Sequence, residues 1–217
     1  MGAQRQFIKQ ALTGCLLLCA SFVFALELGT ELLRYIEDNY GQEARVRIEK
    51  WQTLANSYQK ETDARKLELV NLFFNQVNFV SDQTHWHQDD YWATPIELLA
   101  TNGGDCEDYS IAKYFTLKHL GVSVDKLRIT YVKALKLNQA HMVLAYYPAP
   151  DSEPLILDNL INDILPASLR TDLAPVYSFN GEGLWLAKIR GDSKRIGNAE
   201  KLTRWADLNS RLLKQLE

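Results

Sequence analysis

The first third of the chain repeats apolar residues with the period of an α-helix. In residues 28–80, apolar side chains recur three and four positions apart, as in Leu33 and Ile36 or Leu67 and Val70. This spacing places them on one face of a helix. Residues 42–80 contain neither glycine nor proline, the residues that most often interrupt helices. The pattern predicts a helical N-terminal region with one apolar face packed against the rest of the protein.

Two shorter helices are predicted in the middle of the chain. Thr94 followed by Pro95 indicates a helix start, because threonine caps helices well and proline is favoured at the first helical position. Residues 102–104, Asn-Gly-Gly, predict a turn. Asp105 is then placed to cap a second helix, which Gly121 would end.

The pattern changes to that of β-strands after this second helix. Short apolar runs bounded by turn residues predict strands, and a final amphipathic helix is predicted for residues 199–216. Helices followed by a cysteine-bearing helix and an antiparallel sheet define an α+β fold, which we expect to form one domain over residues 26–217. The predicted strands are residues 127–132, 141–147, 154–157 and 184–189.

The N-terminus has the three parts of an export signal. Arg5 and Lys9 supply positive charge, residues 11–24 are almost entirely apolar, and residues 23–25 provide a cleavage triplet. We therefore predict that residues 1–25 are a signal peptide. The apolar run is shorter than the roughly 20 residues of a membrane-spanning helix, and an uncleaved inner-membrane anchor is the alternative.

Composition and cysteine content narrow the functional classes. The chain is 47% hydrophobic and 24% charged, with a formal net charge of −3 and no long basic block, so we expect a globular protein that does not bind nucleic acid. Cys15 and Cys19 lie in the predicted signal, which leaves Cys106 alone in the exported domain. A lone cysteine in an exported protein is either a small buried apolar residue or a reactive thiol.

Three residues in separate segments could form a catalytic triad. Cys106 follows a double glycine and begins a predicted helix, where backbone N–H groups and the helix dipole favour a thiolate. His141 opens one predicted strand, and Asp158 ends the next. Taken singly, a buried strand histidine and a strand-end aspartate are usually structural. Together they match the nucleophile, base and base-orienting group of covalent catalysis, provided that the two strands pair.

The acidic residues around Cys106 allow two interpretations. Asp105, Glu107 and Asp108 lie at a helix N-terminus, where each carboxylate stabilises the helix by about 0.3–1 kcal/mol. Three carboxylates beside a thiol would also disfavour the thiolate. A bound Ca²⁺, which prefers carboxylate and carbonyl oxygens, would offset that repulsion, and Asp125 is a further candidate ligand.

The order of cysteine, histidine and aspartate resembles the transglutaminase-like division of papain-type folds, and four segments are similar to one family within it. They resemble the bacterial transglutaminase-like cysteine proteinases, and the likeness extends over about residues 28–188. It implies a papain/transglutaminase-like core, in which N-terminal helices and the cysteine-bearing helix pack on an antiparallel sheet. The segments are residues 92–97, 103–114, 140–144 and 157–160.

The resemblance also implies a function. Members of this family are periplasmic, calcium-dependent endopeptidases, which implies that Cys106, His141 and Asp158 are catalytic; it also strengthens the case for calcium at Asp105, Glu107 and Asp108. Their substrate is a giant surface adhesin, cut near its N-terminus at a di-alanine site so that cells leave a biofilm. An inner-membrane receptor for cyclic-di-GMP sequesters the protease.

Two other functions remain open at the sequence level. A transglutaminase or another acyltransferase on the same scaffold would use the same thiol chemistry with an amine in place of water as the acceptor. A calcium-dependent interaction module without catalysis would keep the acidic residues and the fold but would not need Cys106.

Overall fold

The computed structural model describes residues 26–186, 194–199 and 202–216. The predicted export signal lies outside these ranges, as does the second half of the predicted strand 184–189. No helix in the described ranges is both long and apolar enough to cross a membrane. The helices are α1 Thr30–Tyr40, α2 Gln42–Ser57, α3 Asp63–Phe74, α4 Asp82–His85, α5 Pro95–Thr101, α6 Cys106–His119 and α7 Thr203–Leu216.

The strands form two sheets. The small one pairs β1 (Asn78–Phe79) with β2 (Gly103–Gly104) in parallel. The large one is antiparallel throughout its described strands, in the order β6-β5-β4-β3-β7-β8-β9. This arrangement confirms the predicted α+β class. The remaining strands are β3 Leu127–Ala134, β4 Gln139–Tyr146, β5 Leu155–Leu157, β6 Leu165–Pro166, β7 Leu173–Phe179, β8 Leu184–Leu186 and β9 Lys194–Gly197.

The predicted N-terminal helical region is divided into three helices. Gly41 separates α1 from α2 with a φ of +86°, a backbone conformation that favours glycine. No glycine or proline marks the second break. There Thr62 begins α3, because its Oγ1 accepts the Arg65 N–H at 3.3 Å and satisfies one of the free N–H groups of the first turn.

Both predicted starts in the middle of the chain are confirmed. Thr94 Oγ1 accepts the Glu97 N–H at 3.1 Å, while Glu97 Oε2 accepts the Thr94 N–H at 2.8 Å. This reciprocal capping box fixes the start of α5. Helix α6 begins at Cys106 with Asp105 at the N-cap position, and Gly121 follows its C-terminus with a φ of +85°.

Strand β7 was not predicted, because Pro175 lies in its middle and proline normally excludes a central strand. The structure nevertheless places β7 between β3 and β8. A β-bulge between Tyr131 and Val132 shifts the register where Pro175 pairs with Val132. The irregular pairing accommodates a residue that has no N–H to donate.

Helix α6 is the central element of the core. It packs against α3 and α5 and against β3 and β4, and side chains such as Tyr114 and Leu117 have no exposed surface. Burial on all sides explains why its sequence shows little helical amphipathicity. The core therefore surrounds most of α6 and extends to the N-terminal turn that carries Cys106.

Candidate active site

Cys106 occupies the first turn of α6, at the point where the chain leaves β2. A Cβ at Gly104 would lie 2.5 Å from Asp108 Oδ2 and 2.6 Å from Leu98 Cδ1, so only glycine lets the backbone lie this close to α5 and α6. The Cys106 thiol lies against the backbone N–H of Met142, the residue that follows His141 on β4. The N-terminus of α6 is therefore next to the beginning of β4.

The thiol is held in its neutral form in this arrangement. Its Sγ donates to Glu107 Oε2 at 3.0 Å. Burial raises the pKa of Cys106, and the charges of Glu107 and Asp105 raise it further, whereas the Met142 N–H lowers it. Activation of this thiol thus requires that the neighbouring carboxylates be neutralised or engaged elsewhere.

His141 and Asp158 form a buried pair, as the predicted pairing of their strands requires. Strands β4 and β5 pair with Leu144 opposite Leu157. His141 Nε2 lies 2.8 Å from Asp158 Oδ1, and both side chains are buried. Because Nε2 is engaged with the carboxylate, Nδ1 is the ring nitrogen left to act as a base.

The environment of Asp158 keeps it ionised. Burial acts to raise its pKa, but the hydrogen bond and charge of His141, the Leu160 N–H and Arg170 together lower the pKa to about 2. Arg170 donates to the other carboxylate oxygen, Oδ2, at 2.7 Å. Sequence analysis did not identify Arg170, since nothing in its local pattern indicates which residue twelve positions away it contacts.

A carboxylate cluster, which we define as Asp82, Asp90, Asp105, Glu107 and Asp108, surrounds the start of α6. Asp82 and Asp90 come from the segment before α5, and sequence analysis did not identify them either. Three groups of residues in this region each bring one oxygen or sulfur atom per residue within 4.8 Å of the others. Because the groups share residues, the carboxylates form one continuous cluster. The groups are Asp105-Cys106-Glu107, Asp82-Asp90-Glu107 and Asp82-Asp105-Asp108.

Asp108 has a structural task within this cluster. Its Oδ1 accepts the Ala93 N–H at 2.7 Å, and its Oδ2 accepts the Asp105 N–H at 3.1 Å. Asp108 therefore ties the segment before α5 to the start of α6, and Asp82 and Asp90 lie close to Glu107 there. The prediction of Asp125 as a further calcium ligand is wrong. Asp125 follows the C-terminal end of α6, and at 1.5 Å per residue that end lies about 20 Å from the N-terminal turn that carries the cluster.

The cluster has the properties of a hard-cation site. Burial, followed by the charge of Glu107, raises the pKa of Asp105 to about 8. Burial also raises the pKa of Asp82 to about 6. Asp82 Oδ1 and Asp105 Oδ1 are buried without a hydrogen-bond partner. Unpaired buried carboxylate oxygens at this density fit Ca²⁺, which binds several carboxylates at once.

A cysteine on a buried helix, a histidine–aspartate pair on the adjoining antiparallel strands and the order of these elements define a transglutaminase-like cysteine proteinase. The chain belongs to the family of bacterial transglutaminase-like cysteine proteinases, whose model matches residues 36–174. A comparison with curated proteins finds no match.

Solved structures of Legionella pneumophila LapG are similar to this chain. One is 48% identical, covers 86% of this chain and 95% of its own, and superposes with a TM-score of 0.73. A calcium-bound LapG structure is 49% identical over 84% of this chain and 98% of its own, with a TM-score of 0.72. An EGTA-treated LapG structure is 47% identical over 89% and 100%, with a TM-score of 0.74.

Proposed function

We propose that the chain is a calcium-dependent cysteine endopeptidase in which Cys106 is the nucleophile, His141 the general base and Asp158 the group that orients His141. The observation that carries this proposal is the buried His141–Asp158 pair, 2.8 Å apart, in which His141 lies on β4, the strand whose Met142 N–H contacts the Cys106 thiol. Membership of a cysteine proteinase family supports it.

The proposed chemistry follows from this geometry. Nδ1 of His141 takes the thiol proton, and the Cys106 thiolate attacks the peptide carbonyl to form a tetrahedral intermediate. The imidazolium donates its proton to the leaving amine as the C–N bond breaks, which leaves the acyl-enzyme. A water molecule that gives up its proton to His141 then hydrolyses the thioester, and the proton returns to the Cys106 sulfur. The Cys106 N–H has no partner within the helix at this first position, and it is one donor for the oxyanion.

Calcium binding is proposed for the predicted ligands Asp105 and Glu107 together with Asp82 and Asp90. Asp108, the third predicted ligand, is proposed to hold their segments together, because both its oxygens accept backbone N–H groups. When bound, the ion supplies positive charge that offsets the carboxylates beside the thiol. Glu107 engaged as a ligand no longer accepts from Cys106, so the thiol proton can pass to His141. The calcium-bound and EGTA-treated structures of the similar LapG support this assignment.

The substrate and setting are proposed from the family resemblance. We infer that the enzyme is exported to the periplasm by residues 1–25 and cuts the N-terminal region of a large surface adhesin at a di-alanine site. Cleavage would release the adhesin and promote biofilm detachment, and an inner-membrane cyclic-di-GMP receptor would sequester the enzyme. The 48% identity to LapG supports conservation of the substrate class.

The test is mass spectrometry of an adhesin N-terminal fragment incubated with the calcium-loaded protein. We expect two discrete products, whose termini match hydrolysis between the alanines. Cys106→Ala should abolish cleavage while leaving the melting temperature within about 2–4 °C of wild type, a change of about 1 kcal/mol. Cys106→Ala that still cleaves would contradict the assignment of the nucleophile.

Adding a primary amine to the same reaction separates hydrolysis from acyl transfer. A protease gives free carboxyl termini at the cut, whereas a transglutaminase gives an amide-exchanged glutamine in an uncut chain. A protein that binds the fragment with calcium, but leaves it intact with and without amine, would be a non-catalytic interaction module.

A further inference from the structure

Arg170 is a buried cation in contact with the carboxylate that holds His141. It has 2% of its surface exposed, and Asp158 has 1%. Arg170 Nη2 donates to Asp158 Oδ2 at 2.7 Å, a distance typical of a strong charge-assisted hydrogen bond. Removing one partner of such a buried ion pair strongly destabilises a protein, because the other charge stays buried without a counter-ion. The position of Arg170 next to the proposed base and its orienting group indicates a role in the active site.

The structure fixes Arg170 independently of Asp158. Its Nε donates to Asp172 Oδ1 at 3.0 Å, and its Nη2 donates to Asp172 Oδ2 at 2.9 Å, which is the two-pronged geometry that orients a guanidinium. The backbone is fixed as well, because the Arg170 N–H donates to the Ala167 carbonyl and the Arg170 carbonyl accepts the Leu173 N–H, each at 3.0 Å.

The two oxygens of Asp158 have separate partners. Oδ1 accepts from His141 Nε2 at 2.8 Å and from the Leu160 N–H at 3.0 Å, whereas Oδ2 accepts from Arg170. A carboxylate held at both ends cannot rotate, so the direction in which Oδ1 faces the imidazole is fixed. Two further charges act on Asp158, that of Lys113, buried on α6, and that of Asp172.

We propose that Arg170 is a positioning residue of the active site, anchored by Asp172, and that it fixes the orientation and tautomer of His141 through Asp158. This inference rests on the proposed role of His141 as the base. An anionic Asp158 can only accept a hydrogen bond, so the neutral imidazole carries its proton on Nε2 and keeps Nδ1 free for the thiol. Arg170 thereby determines which ring nitrogen of His141 carries the proton.

The test compares Arg170→Met and Asp172→Asn with the control Arg65→Met, which removes an exposed arginine paired with a single carboxylate. Imidazole signals are recorded in ¹H–¹⁵N spectra of ¹⁵N-histidine-labelled protein, which has four histidines. We expect Arg170→Met to shift the His141 signals and to broaden the Nε2–H. The other three histidines, and all four in the control, should stay unchanged.

Kinetics on the adhesin fragment provide the second measurement. Arg170→Met should lower kcat by up to about 100-fold, the effect of a misplaced catalytic group, while KM stays within about twofold. Arg170→Lys should restore part of kcat, because lysine supplies the charge to Asp158 but cannot form the two-pronged contact with Asp172.

Defined outcomes overturn the inference. A variant with a lower melting temperature but unchanged His141 signals and kcat would show that Arg170 only supports the fold. If Arg170→Met does not fold, Asp172→Asn tests the inference instead, since it keeps the guanidinium of Arg170 and weakens the contact that anchors it. Unchanged His141 signals in Asp172→Asn would show that Arg170 does not position His141. If the wild type cleaves nothing, the proposed function is wrong. The imidazole spectra still test whether Arg170 positions His141 through Asp158.

Discussion

Lys113 is a single residue whose burial conflicts with its charge. It lies on α6 two turns after Cys106, with 1% of its surface exposed, and its Nζ is 5.9 Å from the centre of the Tyr109 ring. Burial lowers the pKa of Lys113 from 10.5 to about 7, although the charge of Asp158 acts to raise it. A lysine held in this way makes the stability of the protein depend on pH.

We predict that Lys113 destabilises the protein increasingly as the pH falls from about 10 to 7. In that range the unfolded chain binds a proton at Lys113 that the folded protein does not, so the free energy of unfolding rises with pH. The difference in pKa corresponds to at most about 5 kcal/mol. Lys113→Met should therefore stabilise the protein at pH 7 and lose that advantage at pH 10.

Urea unfolding of the wild type and of Lys113→Met at several pH values gives the difference in their free energies of unfolding. The contributions of the other titrating groups cancel in this difference. Lys118→Met removes an exposed lysine from the same helix and should change stability by less than about 0.5 kcal/mol at every pH. A wild type and Lys113→Met that differ by the same amount at pH 7 and pH 10 would contradict the prediction.

Residue by residue, the sequence predicts those parts of the site that lie at the ends of regular elements. Cys106 follows a turn and begins a helix, and Asp158 directly follows an apolar run, so local pattern is enough to single out both. Asp82, Asp90 and Arg170 reach the site only through long-range contacts, such as the bond from Ala93 N–H to Asp108. No local pattern carries information about those contacts.

At the scale of secondary structure, one arginine joins the last helix to the segment next to the carboxylate cluster. Arg211 on α7 donates to the Trp92 carbonyl at 2.6 Å and to the Tyr91 hydroxyl at 2.8 Å, and it pairs with Glu97. Glu97 is also the residue that completes the capping box of α5. Helix α7 therefore supports the start of α5 and the segment that leads to it.

We predict that Arg211→Met destabilises the protein by about 2–3 kcal/mol, because the Trp92 carbonyl loses its side-chain donor and the partly buried Glu97 loses its cationic partner, although Glu97 still accepts the Thr94 N–H. For a domain of this size the melting temperature should fall by roughly 4–12 °C, measured by calorimetry. The matched control is Arg45→Met. Arg45 pairs with two carboxylates, Glu37 and Glu49, as Arg211 does with Glu97 and Asp207. Arg45 and its two partners are well exposed, so the change should stay below about 1 kcal/mol. Equal losses in the two variants would show that α7 docks without Arg211.

Element boundaries were predictable where several local signals coincide, as a capping residue does with proline or glycine, and a single capping threonine such as Thr62 was not enough. Thr94 and Pro95 indicate the start of α5 correctly, whereas the break between α2 and α3 carries no glycine or proline. Strand β7 contradicts the usual exclusion of proline, because a bulge next to Pro175 within β7 adjusts its pairing with β3. In β7, pairing within the sheet overrides the local preference of proline.

For the whole molecule, the carboxylate cluster links metal binding, stability and activity. The cluster joins the segment before α5 to the start of α6, so any change in its charge acts on the central helix. Without a bound cation, the folded protein relieves repulsion by keeping protons on Asp82 and Asp105, whose pKa values burial raises to about 6 and about 8. The unfolded chain releases those protons near the ordinary carboxyl pKa of about 3.9.

This difference predicts opposite pH dependence with and without calcium. In a chelator, the folded protein binds more protons than the unfolded chain between about pH 4 and 8, so stability should fall as the pH rises through that window. With Ca²⁺ the ionised carboxylates are ligands, and affinity should rise over the same window because protons compete with the metal. At pH 8, calcium at 100 times its Kd should add about 2.7 kcal/mol, or roughly 5–10 °C in the melting temperature.

Thermal unfolding and calorimetric titration between pH 5 and 8 check both trends, with Mg²⁺ as the control cation. Asp105→Asn and Glu107→Gln should each weaken calcium binding at pH 8 and flatten the decline seen in chelator, since each removes one of the crowded charges. Asp125 lies beyond the opposite end of α6, so Asp125→Asn should change neither the calcium affinity nor the decline in stability seen in chelator. A calcium affinity that is the same at pH 5 and pH 8, or that Asp105→Asn leaves intact, would show that the ion binds outside the cluster and cannot neutralise the charges beside Cys106.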